Sequence, residues 1–175
     1  MKKQKRLLFP IVSLGAEYLT IGQLMRRNIL SYKAPQNNEG YDLICIHPDP
    51  RHKAKPEEHQ IIRVQVKSRY QSDSNMSIDV SKKTLDAFDY LIAVFMNIGE
   101  FFNGKDGSKG EKEIEYYTLP SSFVKDHHKI TSNRGQIRLN KLQKEIKQYK
   151  NRAGFELIAS DLGISKPKRL RKSAG

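Results

Sequence analysis

A chain of 175 residues with 37% apolar content has room for one core and too little for two well-built domains. Its 32 Lys and Arg against 19 Asp and Glu leave a net charge of +13, a field that favours polyanions, nucleic acid first and anionic membrane second. Cys45 is the only cysteine, which excludes an internal disulfide and points to a reducing compartment.

No run reaches the ~18 apolar residues of a membrane span, so a soluble, cytoplasmic protein without a membrane partner is expected. Met1-Lys2-Lys3-Gln4-Lys5-Arg6 followed by Leu7 to Ala16 imitates a short secretory signal, but Pro10 interrupts the run and the region continues into a helical pattern. The expected organisation is one domain over residues 1–165 and a basic, disordered tail over 166–175.

The spacing predicts a helix over 13–31, with Ser13 as cap and an apolar arc of Leu14, Tyr18, Ile21, Leu24, Met25 and Leu30. Glu17 falls inside that arc, where a carboxylate is costly unless it is paired or bound to a metal. Arg26 and Arg27 are the available ion-pair partners. A turn cluster over 34–40 leads into a strand from Tyr41 to Ile46, followed by a polar, Pro-rich loop over 47–56.

Residues 61–69 then alternate, with Ile62, Val64 and Val66 apolar and Arg63, Gln65, Lys67 and Arg69 polar. A strand sends successive side chains to opposite faces, so Gln65 and Lys67 emerge side by side above a packed sheet. The two strands form a hairpin with a long basic connection. After a turn over 71–75, a short strand is expected at 77–80, and Ser81 caps a helix to about Phe88.

Tyr90 to Met96 is almost wholly apolar, as in a strand covered on both faces. A Gly- and Lys-rich loop over 103–112 joins it to a strand at 113–119, a second hairpin. Pro120-Ser121-Ser122 opens a short helix. A small strand at 136–139, a basic helix at 141–150 and an amphipathic segment at 155–162 complete the pattern, an α/β arrangement with a mixed sheet.

Several chemistries lack support. The five histidines, His47, His52, His59, His127 and His128, match no compact zinc spacing. No Gly-rich phosphate loop follows a strand and no serine nucleophile elbow is present. Basic residues recur in blocks: Arg63 and Arg69 on the alternating strand, Lys82-Lys83 at the next helix, and Lys141, Lys144, Lys147 and Lys150 at intervals of three. Such residues neutralise phosphates and carry little sequence information.

Taken in order, Ala16-Glu17-Tyr18, Gly40-Tyr41-Asp42-Leu43-Ile44 and Val64-Gln65-Val66-Lys67 resemble the motifs of the PD-(D/E)XK nuclease superfamily. With the segments from Ser81 and Tyr90, the resemblance covers roughly residues 13–96. It departs from the pattern at Tyr41, where the family has Pro, and at Gln65, where it has a second carboxylate. Gln-x-Lys is similar to the variant of some homing endonucleases.

The resemblance implies a restriction-endonuclease-like mixed central sheet flanked by helices. It implies catalytic roles for Glu17, Asp42, Gln65 and Lys67. Asp42, the Gln65 side-chain oxygen, the Val66 main-chain carbonyl and Glu17 would bind Mg²⁺, with Mn²⁺ able to substitute. Arg63, Arg69, Lys82 and Lys83 would grip double-stranded DNA. A homodimer or higher oligomer would supply two sites for two strands. The implied activity is endonucleolytic, of homing or site-specific type; a Holliday-junction resolvase, or a relative that binds nucleic acid without cutting it, are the alternatives.

Overall fold

The computed structural model describes residues 11–35, 37–72, 76–100, 106–131 and 134–164. In chain order these form α1 (Val12–Met25), β1 (Leu30–Lys33), β2 (Leu43–Ile46), β3 (Ile61–Arg69), β4 (Ser77–Val80), β5 (Tyr90–Phe95) and β6 (Glu115–Pro120). There follow α2 (Ser121–His127), β7 (Lys129–Thr131), β8 (Arg134–Arg138), α3 (Gln143–Ile146) and α4 (Asn151–Asp161). The N-terminal basic block and the tail after Lys166 lie outside the described residues.

Tyr-Leu-Ile-Ala-Val-Phe has no polar face to offer water, and all six residues of β5 are buried. It therefore runs inside a five-stranded sheet of order β1-β2-β3-β5-β6, in which only β3 and β5 are parallel. One face, with Leu43, Val64, Val66 and Ile92, packs against Ala16 and Leu24 of α1 and Phe155 and Ile158 of α4. The other, with Leu91, Ala93 and Phe95, packs against Ile78 and Val80 of β4, Ile137 of β8 and Val124 of α2. β4, β8 and β7 make a separate three-stranded sheet. The protein is thus α/β, with a mixed, mostly antiparallel sheet between helices, as the element pattern predicts.

Three expectations are corrected. The helix predicted to residue 31 ends at Met25: Asn28 takes a left-handed φ of 61°, and Leu30–Lys33 pairs with β2 as an edge strand. Its buried face is Ala16, Thr20 and Leu24, small enough for close approach to the sheet, while Leu14, Tyr18 and Met25 are exposed.

After Ser81, whose hydroxyl accepts from the Lys83 amide at 3.3 Å, only one 3-10 turn forms over Lys82–Thr84. The chain leaves it because Phe88 is drawn into the second core. The segment predicted as a basic helix is broken into two 3-10 turns around the four-residue α3. Leu139, Leu142, Ile146 and Tyr149 dock on the second core, so no single helix aligns the lysines.

Asp89 ties β3 to the start of β5, accepting from the Arg63 amide at 2.7 Å and from Arg63 Nε and Nη2 at 3.1 and 2.9 Å. Burial alone would raise this carboxyl, but the Arg63 hydrogen bonds outweigh it and hold Asp89 below the usual carboxylate range. A depressed folded pKa gives stability that is present above the unfolded value, near 4, and lost as pH falls through the folded one. Asp89→Asn is expected to cost about 1–3 kcal/mol at neutral pH in urea unfolding. The gap from wild type should narrow only as pH falls through the depressed folded pKa of Asp89, below the ordinary carboxylate range.

Candidate active site

The turn before β2 depends on Gly40, which has φ +108° and sits so close to Ala87 that a side chain has no room. It delivers Asp42 into the ladder: the Asp42 amide donates to the Val64 carbonyl at 2.8 Å, and its carbonyl accepts from the Ala34 amide at 2.8 Å. The carboxylate then turns onto β3, where Oδ2 accepts from the Val66 amide at 2.7 Å. A side-chain oxygen thus lies against the peptide that joins Gln65 to Val66. Asp42 lies one residue beyond the last registered pair, Leu43 with Val64, and is bonded to both Val64 and Val66, the neighbours of Gln65.

Gln65 is 6% exposed, much deeper than an alternating polar position leads one to expect. Its Nε2 donates to the Gly40 carbonyl at 3.0 Å, but its Oε1 is buried with no partner among the described residues. An unsatisfied buried acceptor costs about 1–3 kcal/mol, so this oxygen needs an explanation. Lys67 follows two residues on, on the same side of β3, partly exposed and without a hydrogen bond or ion pair among the described residues.

Glu17 stands apart. Its carboxylate is paired with Lys33, whose position on β1 is opposite Leu43, the residue after Asp42. The sequence offered Arg26 and Arg27 for this role; Arg27 instead donates to Gln23. Because α1 covers the face that carries Leu43, Val64 and Val66, Glu17 is held on that side, whereas Gln65 and Lys67 point to the other. The structure therefore brings Asp42, Gln65 and Lys67 onto neighbouring positions of two paired strands, with Glu17 fixed by Lys33 beyond them.

Of the expected DNA contacts, Arg63 is engaged by Asp89, and Arg69 donates to the Ser77 carbonyl at 2.7 Å and to Asp79 at 3.1 Å. Lys82 and Lys83 are exposed on their turn. Cys45 is fully buried, and burial pushes its thiol up to about 11, which leaves it unreactive. Lys33 and Gly40 are the residues that sequence reasoning missed. The glycine's signal was its place just before the strand that opens with Asp42.

Among the described residues, no three His, Cys, Asp or Glu side chains gather to hold a metal. The donors at this site are all oxygens: the Asp42 carboxylate, of which only Oδ2 is engaged, and the orphaned Gln65 Oε1. Oxygen donors with one negative charge fit a hard divalent cation held weakly.

No family model matches this sequence, and no curated protein does. Among solved structures, the chain is similar to the bacterial homing endonuclease I-Ssp6803I, with a TM-score of 0.47 and 17% identity over 86% of this chain and 92% of that one. It is also similar to Hjc, a Holliday junction resolvase from the archaeal hyperthermophile Archaeoglobus fulgidus, with a TM-score of 0.43 and 10% identity over 88% and 98%.

The Asp42 contact separates geometry from charge. Asp42→Asn keeps an oxygen for the Val66 amide and should change stability by less than about 1 kcal/mol, whereas Asp42→Ala should cost about 1–3 kcal/mol. Urea unfolding of the two variants checks this difference.

Proposed function

We propose that the protein is a divalent-metal-dependent endonuclease of restriction-endonuclease-like fold that hydrolyses phosphodiester bonds in double-stranded DNA. The observation that carries this reading is the Gln65 Oε1, buried and without a hydrogen-bond partner among the described residues, one residue before the Val66 amide that holds the Asp42 carboxylate. A polar oxygen kept dry without a protein donor is accounted for by a ligand that bonds to oxygen.

Asp42 and Gln65 would hold Mg²⁺, or Mn²⁺ in its place, with the Val66 carbonyl as the third protein oxygen. When bound, the ion supplies acidity to a water and positive charge to the scissile phosphate. The Val66 amide fixes the Asp42 carboxylate, so one oxygen is oriented while the other stays available. Gln65 contributes an oxygen without charge. Lys67, without an acidic partner among the described residues, would place its ammonium where a phosphate oxyanion develops and favour deprotonation of the attacking water. Glu17 would orient a further water from the α1 side, with Lys33 setting its direction.

Exposed Lys82 and Lys83 suit the phosphate backbone, and the +13 field draws duplex to the protein. The Gln-x-Lys form and the short chain favour cleavage of homing or site-specific type by a homo-oligomer.

Incubating the protein with supercoiled plasmid, linear duplex and four-way junctions in Mg²⁺ or EDTA tests this. Cleavage should appear only with Mg²⁺ or Mn²⁺, and Asp42→Asn and Lys67→Ala should each lower it by about 10²-fold or more with binding retained. Binding without cleavage in either metal would contradict the reading. Gln65→Glu adds a charge to the donor set and should lower the Mg²⁺ concentration for half-binding about tenfold, measured by calorimetry.

A further inference from the structure

An α-helix packed on a sheet ordinarily turns its apolar stripe inward and its charges out. α1 buries Ala16, Thr20 and Leu24 and also carries an apolar stripe outward. Ile11, Leu14, Gly15, Tyr18, Gly22 and Met25 fall within an arc of about 100° on a 3.6-residue repeat, directly opposite the buried Ala16, Thr20 and Leu24. No charged residue lies in that outer arc, although the chain holds 32 Lys and Arg. Ile11 is 72% exposed and Tyr18 58%, and exposed Leu19 and Tyr32 extend the patch along α1 and onto edge strand β1. We infer that this face is where two copies of the chain pair, antiparallel about a two-fold axis at Tyr18.

The pattern is its own complement. In an antiparallel pair centred on Tyr18, residue n of one copy faces residue 36 − n of the other, because both lie equally far from 18. Leu14 then meets Gly22 of the second copy, and Ile11 meets Met25. A bulky side chain faces a glycine at both symmetry-related positions, as an isologous contact requires.

The glycines support this independently. A Cβ at Gly15 or Gly22 would meet nothing within 4 Å, so packing inside one copy demands neither, yet each weakens the helix. Their use is explained by a body outside the chain that approaches closely.

Charge and area select the occupant. The Lys33 ammonium, 5.5 Å from the Tyr18 ring centroid, is already paired with Glu17 and so offers nucleic acid little, and two bodies of +13 repel each other except where they meet through a surface of low net charge. Covering the six exposed apolar side chains would bury on the order of 700 Å² per copy, close to the roughly 800 Å² per partner of a stable dimer. The pairing concerns α1 alone and does not rest on the nuclease reading.

Sedimentation velocity of the full chain at micromolar concentration without DNA reads it directly. The expected species is twice the 20.2 kDa chain. Tyr18→Glu, exposed in the single copy and so harmless to its fold by circular dichroism, should weaken association about hundredfold. Tyr18→Cys should cross-link under mild oxidation while Met25→Cys does not, because only the former meets its own copy. A wild-type monomer, whether its α1 face is bare or covered by its own N-terminal residues, would overturn the inference. So would a Tyr18→Glu dimer or efficient cross-linking through Met25→Cys alone. A dimer that cuts no DNA would leave it standing.

Discussion

The arrangement of the site depends on one hydrogen bond, from the Val66 amide to the Asp42 carboxylate at 2.7 Å. At this point of the β2–β3 ladder a side-chain oxygen takes the place that a main-chain carbonyl fills elsewhere. The substitution lets the chain leave strand geometry at Gly40, where φ is +108° and Ala87 presses against the backbone. It also anchors an acid one peptide away from Gln65 and Lys67. The Gly40 carbonyl in turn accepts from Gln65 Nε2, which turns the other end of that amide into a dry environment with no donor. One turn thus orients the carboxylate and holds the amide whose oxygen is buried.

What surrounds this turn is rigid for ordinary reasons. β3 runs between β2 and β5, its Ile62, Val64 and Val66 side chains locked into the first core. Arg63 and Arg69, two of the cations expected to serve a polyanion, bind Asp89 and Asp79 and so tie segments of the fold together. Lys67 lies between them without such a partner. On a strand whose other cations are engaged structurally, Lys67 and the Gln65 Oε1, both without partners among the described residues, are what the proposed chemistry draws on.

Strands were the legible part of the sequence. The two-residue alternation of β3 and the unbroken apolar run of β5 each reflect which faces are covered, and both appear where that logic puts them. The resemblance drew attention to Asp42, Gln65 and Lys67, of which Asp42 bonds to the Val66 amide between the other two. Helices misled, because a period of 3.6 says that a segment has two faces and not which one is inside. In α1 the predicted apolar arc splits, with Leu24 buried and Ile21 packed on the core but Leu14, Tyr18 and Met25 exposed, and in the segment from Lys141 the residues Leu142, Ile146 and Tyr149 dock through short turns instead of one helix. Edge strand β1 was hidden because Asn28, whose left-handed φ ends the helix, is only one of several residues that could have done so. The depth of Gln65 and the pairing of Glu17 with Lys33 are long-range facts with no local signature.

The central claim is that Asp42 and Gln65 share a divalent cation. Titrating Mn²⁺ into isotopically labelled protein tests it most directly, because the paramagnetic ion broadens the nearest NMR signals first. The account predicts that the Gln65 side-chain amide and the Val66 and Lys67 backbone amides fade at the lowest Mn²⁺, and that Asp42→Asn prevents this. Persistence of those signals while others fade, such as those around the stacked rings of His47 and His52, would contradict it.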